Sequence, residues 1–403
     1  MNTALRHWKE AATLILAAGT KRSAGGADGL PGPGGSAAAA AAWDHRVLLL
    51  KRSGRSRFMP DAYVFPGGVA DASDFSHEWL SVFRAFRRRH GPNLGLRAAR
   101  QPAGTRPPMF ATDRRALGSP VPGDVAFRIC ALRETFEECG VLLVVPRPKD
   151  VEEESVSVPV PPAGLCRTTD PWDRGELIRW RALVNENPAN FLEMCRQLEV
   201  VPNIWALHEW GNWLTPTAKP GSRYDTAFYI CCTPDVPFAA QDDKEIVHVK
   251  WVTPPEVLHS YRARELWVAP PQFYELSRLC RHPSLRELHA FASQRAEEGC
   301  EHWLPVTLET DTHRSVLLPG DQLHPETGFS TQDPTTDPGL GGAGVSEPAL
   351  HRMVSTDPYS MSIQISITPK YKHLSPLPAP DPCDLSYPND PSNLKDNITK
   401  SHL

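Results

Sequence analysis

No run of residues in this 403-residue chain reaches the roughly 20 apolar residues that a helix needs to cross a bilayer. The early stretch Ala11 to Ala18 is too short and too weakly flanked for a signal peptide and reads as a buried strand. A mitochondrial presequence built on Arg6, Lys9, Lys21 and Arg22 is interrupted by Glu10. There is no surplus of base. Forty-three Lys and Arg stand against 47 Asp and Glu, a net charge of -4, which argues against a generic nucleic-acid binder, whose affinity rests on neutralised phosphates. Zinc-ribbon spacing is also missing. Nine Cys fall at irregular intervals, with Cys280-x-His282 and Cys300-x-His302 the only echo of a metal pair, and they read as reduced thiols of an intracellular protein. What the chain has in quantity is Pro (41) and Gly (27), so much of it is expected to be loop and linker around one domain with insertions.

Against that background, one stretch concentrates charge. Arg133-Glu134-Thr135-Phe136-Glu137-Glu138-Cys139-Gly140 places three carboxylates within five residues of a predicted helix. On a helical wheel Glu134, Glu137 and Glu138 share one face, while Val125, Ile129, Leu132 and Phe136 share the opposite one. Like charges on adjacent turns repel, and a hard cation among them, magnesium or manganese, would relieve that. The plainer alternative is a solvated acidic face. Asp124 reads as the N-cap of this helix, and Gly140 sits where a left-handed C-cap residue is needed.

The segment Arg133-Glu134-x-x-Glu137-Glu138-x-Gly140 resembles the second half of the signature of Nudix hydrolases, with Thr135 where an aliphatic residue is usual. The first half is not in its expected register, since Val125 and Ser119 occupy those positions. It is found far upstream, in Val64-Phe65-Pro66-Gly67-Gly68, with Asp74 as a shorter stand-in for the signature's Glu. An insertion at about 75–123 would then split one motif, as in a small subgroup that includes the peroxisomal coenzyme A diphosphatases.

The resemblance implies an α/β (α+β) fold, an α/β/α sandwich around a mixed β-sheet. It further implies Mg2+ or Mn2+ held by Glu134, Glu137 and Glu138, with Glu134 alternatively a general base. Arg133 would orient the acids, Gly67 and Gly68 would shape the loop beside the metal, and Arg52, with Arg55, would meet a diphosphate. Coenzyme A and acyl-coenzyme A are the implied substrates. Capped RNA, nucleotide sugars or NADH are the alternative, and a Nudix-fold binding module without turnover is a third reading. A further metal-binding acid is sought among Asp242, Asp243 and Glu245.

The remaining organisation follows from pattern. Val47 to Leu50, Val141 to Val145 and three runs at about 203–214, 224–232 and 245–252 read as strands. A helical insertion at about 150–200 contains Glu176 to Val184 and a helix opening at Asn187-Pro188. Arg87-Arg88-Arg89 reads as a solvated basic loop, and Trp205, Trp210 and Trp213 as core. Residues 1–325 are assigned to the Nudix domain and 326–403 to a low-complexity tail, within which Met361 to Thr368 alternates like a strand. Ser401-His402-Leu403 is similar to a peroxisomal address read by an import receptor.

Overall fold

The computed structural model describes residues 8–20, 43–56, 58–148, 164–166, 172–216, 223–242, 244–325 and 348–377. Asp243, the Gly-rich run near 340 and Ser401 to Leu403 lie outside the described residues. In chain order the strands are β1 (Trp8–Gly19), β2 (His45–Arg52), β3 (Tyr63–Val64), β4 (Gly67–Val69), β5 (Val144–Pro146), β6 (Val200–Pro202), β7 (His208–Leu214), β8 (Arg223–Thr233), β9 (Ile246–Val252), β10 (His302–Trp303), β11 (Val306–Glu309), β12 (Arg314–Leu317), β13 (His351–Ser355) and β14 (Ser362–Ile365).

A mixed eight-stranded sheet runs β10-β7-β8-β1-β2-β3, with β4 added to β1 and β9 to β2. β1 lies at its centre and is buried from Ala11 onward, which is why its sequence reads as an unbroken apolar run rather than an alternation. It pairs in parallel with β8 over its whole length, Trp8 opposite Arg223 through Ala18 opposite Thr233. On its other side it is shared, Ala17 to Gly19 pairing with β2 and Ala11 to Thr13 with β4. Successive residues of β1 and β2 point to opposite faces: Leu14, Leu16, Leu48 and Leu50 join one core, Ile15, Ala17, Val47 and Leu49 the other. The first core is covered by the helices Gly123–Cys139, Arg174–Glu186 and Asn190–Gln197, the second by Pro254–Arg262, Pro270–Leu279 and Leu285–Arg295. This is the expected α/β/α sandwich.

The insertion that splits the motif packs as an outer layer. Its helices Trp79–Val82 and Arg84–His90 bury Trp79, Val82, Phe83 and Phe86 in the first core. The Arg87-Arg88-Arg89 run lies on the last turn of the second helix rather than in a loop. Arg106 ties the insertion to β7 through two bonds to Glu209, at 2.7 and 2.8 Å, and Arg114 ties it to Glu10 of β1. At the base of the insertion, Ser119 Oγ donates to Phe75 O at 2.7 Å, so its two ends meet.

Several boundaries differ from the sequence expectation. The helix after Asn187-Pro188 begins at Asn190, because the Asn187 side chain caps the preceding turn by accepting from Ala189 N–H. The strand after the box helix is confined to β5, which pairs with β6 in a separate two-stranded ribbon. The tail assignment from 326 is corrected for residues 348–377: β13 and β14 complete a four-stranded antiparallel sheet with β11 and β12. The alternation read over Met361 to Thr368 coincides with β14, whereas β13 buries a single apolar side chain, Met353, and does not stand out from its surroundings.

Candidate active site

The helix Gly123–Cys139 crosses the sheet beside β1 and β4. It starts at Gly123, with Pro122 in the N-cap position; Asp124 lies inside the first turn and pairs with Arg106 at 3.2 Å rather than capping the helix. Gly140 ends it in the left-handed conformation, φ 75°. The expectation of one acidic and one apolar face underestimates its burial. Glu138 and Arg133 are buried too, because the insertion and the segment 174–197 cover what would otherwise be a solvated face. Arg181 Nε and Asn185 Nδ2 both donate to Glu137 O, at 2.8 and 3.3 Å, closing the helix end.

The two halves of the motif meet. Gly67 N–H donates to Glu138 Oε2 at 2.8 Å, and Cys130 Sγ lies 3.8 Å from Gly68 O. A side chain at either glycine has no room: a Cβ on Gly67 would meet Ala12 O and Thr13, and one on Gly68 would meet the Glu134 carboxylate. Glycine is required at 67 by the backbone of Ala12 and Thr13, whereas a Cβ at 68 would displace the Glu134 carboxylate.

Arg133, 1% exposed, is the hub. Its Nε and Nη2 hold Asp74 in a two-point bridge, both bonds 2.8 Å, while Nη1 donates to Glu134 and Glu137 at 2.9 Å each and Nη2 also reaches Val69 O at 3.1 Å. Asp74 is buried and also accepts from Asp71 N–H at 2.9 Å. One guanidinium therefore serves three carboxylates, and Glu138 stands beyond it as a fourth. Burial raises Glu134 to about 8, against the opposing pull of Arg133 and with the help of the Glu137 charge. Burial also raises Glu137, and it raises Glu138 well above the carboxylate range, where the Glu134 charge adds and the Gly67 N–H opposes.

Arg52 lies at the edge of this field. Its guanidinium bonds Glu245 at 2.6 Å and Phe58 O at 2.9 Å, so the side chain expected to meet a diphosphate is engaged with the neighbouring loop. Its charge nonetheless favours ionised Glu138, while Glu245 disfavours it. Asp242 caps its own loop, accepting from Ile246 N–H at 2.8 Å. Arg55 is exposed. Trp205, Trp210 and Trp213 are buried, as expected of core.

With this geometry, comparison with known proteins is informative. A family model described as the NUDT19 Nudix domain matches residues 8–279, and a second, the NUDT19 C-terminal domain, matches residues 307–366. The chain belongs to the Nudix hydrolase family. Among curated Nudix relatives, the acyl-coenzyme A diphosphatase NUDT19 of Gallus gallus is 46% identical over 94% of this chain and 97% of its own. That of Homo sapiens is 39% identical over 93% and 97%. A solved Nudix hydrolase from Alicyclobacillus acidocaldarius superposes with a TM-score of 0.46 at 20% identity, covering 70% of this chain and 96% of that one.

Nudix hydrolases use divalent metal ions. Among the described residues no three His, Cys, Asp or Glu side chains are already gathered around one point to enclose a metal, because Glu134 and Glu137 are both turned onto Arg133 Nη1. The donor set nevertheless fits a hard cation: buried oxygen ligands, four acids against one base, with ionisation disfavoured until positive charge arrives. The sequence reading placed Asp74 in the motif but missed its function as the two-point partner of Arg133. The signal was its spacing, with five residues between it and Gly68. Arg181 and Asn185 carry no sequence signal, since their contact with Glu137 O depends on how the segment 174–197 packs.

Proposed function

We propose that this chain hydrolyses the diphosphate bond of coenzyme A and acyl-coenzyme A esters, giving (acyl-)phosphopantetheine and adenosine 3',5'-bisphosphate. The observation that carries the reading is the four-to-one charge imbalance set against the Gly67-Gly68 loop. Its substrate is supported by the relatives of 39–46% identity, which are acyl-coenzyme A diphosphatases along nearly the whole chain.

A magnesium or manganese ion, when bound, neutralises diphosphate charge and makes a bound water more acidic. Glu137, Glu138 and Glu134 are the residues that would hold it. Arg133, fixed on one side by Asp74, positions Glu134 and Glu137 through a single Nη1, so both acids are oriented by one buried group. Gly67 N–H orients Glu138. Glu134, beside Gly68, holds a divided assignment between ligand and general base, taking the proton of the water whose oxygen attacks one phosphorus as the bridging P–O bond breaks. The test is a turnover screen of coenzyme A, dodecanoyl-coenzyme A, ADP-ribose, NADH and capped RNA. Coenzyme A compounds should lead by at least about tenfold in kcat/KM; absent or merely equal activity on them overturns the substrate assignment.

A further inference from the structure

The pairing of β7 with β8 starts at His208, opposite Ile230, and runs away from the C-terminal end of β8. Past Ile230 the segment 164–166 lies along β8, with Cys166 N–H donating to Cys232 O at 2.8 Å. The side chains of Cys166 and Cys231 both enter the first core, whereas that of Cys232 enters the second, on the opposite face of the sheet. The Cys166 and Cys231 thiols are hydrogen-bonded to each other, and Asn203 Nδ2 lies 3.4 Å from Cys166 Sγ as a second donor.

This thiol pair is polarised. Cys166 accepts from the Cys231 thiol and from Asn203, and these two bonds hold it below the ordinary thiol range against the opposing effect of burial. Cys231, the donor, is pushed well above that range by the same bond and by burial. Every other cysteine among the described residues is raised, with burial the leading cause in each. A thiol biased toward thiolate, with a second thiol in contact, is the arrangement of a peroxide-reactive cysteine and its resolving partner. Both are buried at rest. Within the described residues 164–166, however, the main-chain tie to the sheet is the Cys166 bond alone, so opening of this segment, far short of unfolding, brings Cys166 to solvent.

We propose that Cys166 and Cys231 are a redox-sensitive pair that forms a reversible disulfide in response to hydrogen peroxide. The Cys166 sulfur attacks one peroxide oxygen, the O–O bond breaks and water leaves, giving the sulfenic acid. The Cys231 sulfur then attacks that of Cys166, the S–O bond breaks and a second water leaves. Two thiols lose two electrons in all, and one peroxide is reduced to two waters. The link ties the segment 164–166 to the central sheet and closes a loop over residues 167–230. That loop carries the helices Arg174–Glu186 and Asn190–Gln197, and with them Arg181 and Asn185, whose bonds to Glu137 O close the end of the box helix. Oxidation therefore braces the cover of the candidate active site without consuming any residue assigned to it.

The test treats the reduced full chain with excess hydrogen peroxide, alkylates the remaining thiols and maps the digest by mass spectrometry. A peptide linking Cys166 to Cys231 should dominate, disappear on reduction with dithiothreitol, persist in Cys232→Ser and be lost in Cys231→Ser. Should Cys231→Ser fail to fold, fragmentation of the wild-type peptide between Cys231 and Cys232 assigns the partner. Recovery of Cys166 as a free thiol or a sulfinic acid, or its linkage to Cys232, overturns the inference. The melting temperature of the cross-linked chain should rise by roughly 5 °C and fall back on reduction; an unchanged value overturns the bracing role.

Discussion

The two ends of the box helix hold two buried charge clusters that differ in one respect. At its N-terminal end Arg106 and Arg128 face Glu209 and Asp124, two bases against two acids, all within bonding or ion-pair distance. At its C-terminal end Arg133 faces Asp74, Glu134 and Glu137, with Glu138 beside them. The first cluster is complete as it stands. The second is short of positive charge, with Arg133 the one base among the described residues bonded to its acids. Apart from Asp124, whose side chain is 37% exposed, both clusters are largely buried, so balance more than burial separates a structural ion network from a site awaiting a cation.

The largest expected effect follows at the unbalanced end. Glu138→Gln should lower kcat/KM by about a thousandfold or more while leaving the melting temperature unchanged or raised, because a buried carboxylate with no cation costs stability. Chelation of divalent ions should likewise abolish turnover, with recovery on adding magnesium or manganese. A loss of stability as large as the loss of activity would put Glu138 in the structural class and erase the contrast.

The balanced end should respond in the opposite way. Arg106→Ala leaves Glu209 buried beside Asp124 and should destabilise the fold by about 3–5 kcal/mol, read by chemical denaturation, while the protein that remains folded turns over normally. Since Arg106 is also the insertion's anchor on β7, limited proteolysis between 75 and 123 should accelerate. Persistence of full stability would mean that the network is ornamental to the fold.

This division was half legible in the sequence. Glu134, Glu137 and Glu138 share a face through the 3.6-residue period, and Gly67 and Gly68 were joined to them by the resemblance to the Nudix signature. The helix core, with Ile129, Leu132 and Phe136 buried, followed from the same periodicity. Arg106 with Glu209 could not be found, because the two are 103 positions apart and neither belongs to a motif. Arg52 is the last residue of β2, and its bond to Glu245, 193 positions away, depends on the packing of β9 against β2. The strand β13 was obscured for a different reason: its partner β12 precedes it across residues 326–347, so no local turn signals that pairing.

Asp74 sharpens the comparison at a smaller scale, because it belongs to the unbalanced cluster without being among the residues that would hold the metal. Asp74→Asn keeps the shape but weakens the two-point hold on Arg133. It should lower kcat about 10- to 100-fold with KM little changed, and Asp74→Glu should recover part of that loss. An equal fall from both variants, together with a lower melting temperature, would make Asp74 a folding residue instead of a positioning one.

The smallest effect concerns a group for which burial is the largest of several influences. His351 of β13 is 2% exposed and lies in the C-terminal sheet; Tyr274 Oη donates to its Nε2 and its Nδ1 donates to Pro319 O, both at 2.8 Å, which fixes the neutral tautomer. Burial lowers it to about 4, opposed by the Pro319 bond and Asp321 and reinforced by the charges of Arg278 and His324. The unfolded chain takes up this proton near pH 6.5 and the folded chain only near 4, so stability contributed by neutral His351 is complete above about 6.5 and declines as pH falls toward 4. The slope is about 1.4 kcal/mol per pH unit within that window, or roughly 1 kcal/mol lost by pH 5.5. His351→Gln, which has no proton to gain, should flatten the dependence of unfolding free energy on pH between 6.5 and 4 by that amount, whatever its effect at pH 7. An unaltered slope would show that His351 protonates in the folded state without penalty, and that burial without charge imbalance does not bias ionisation here.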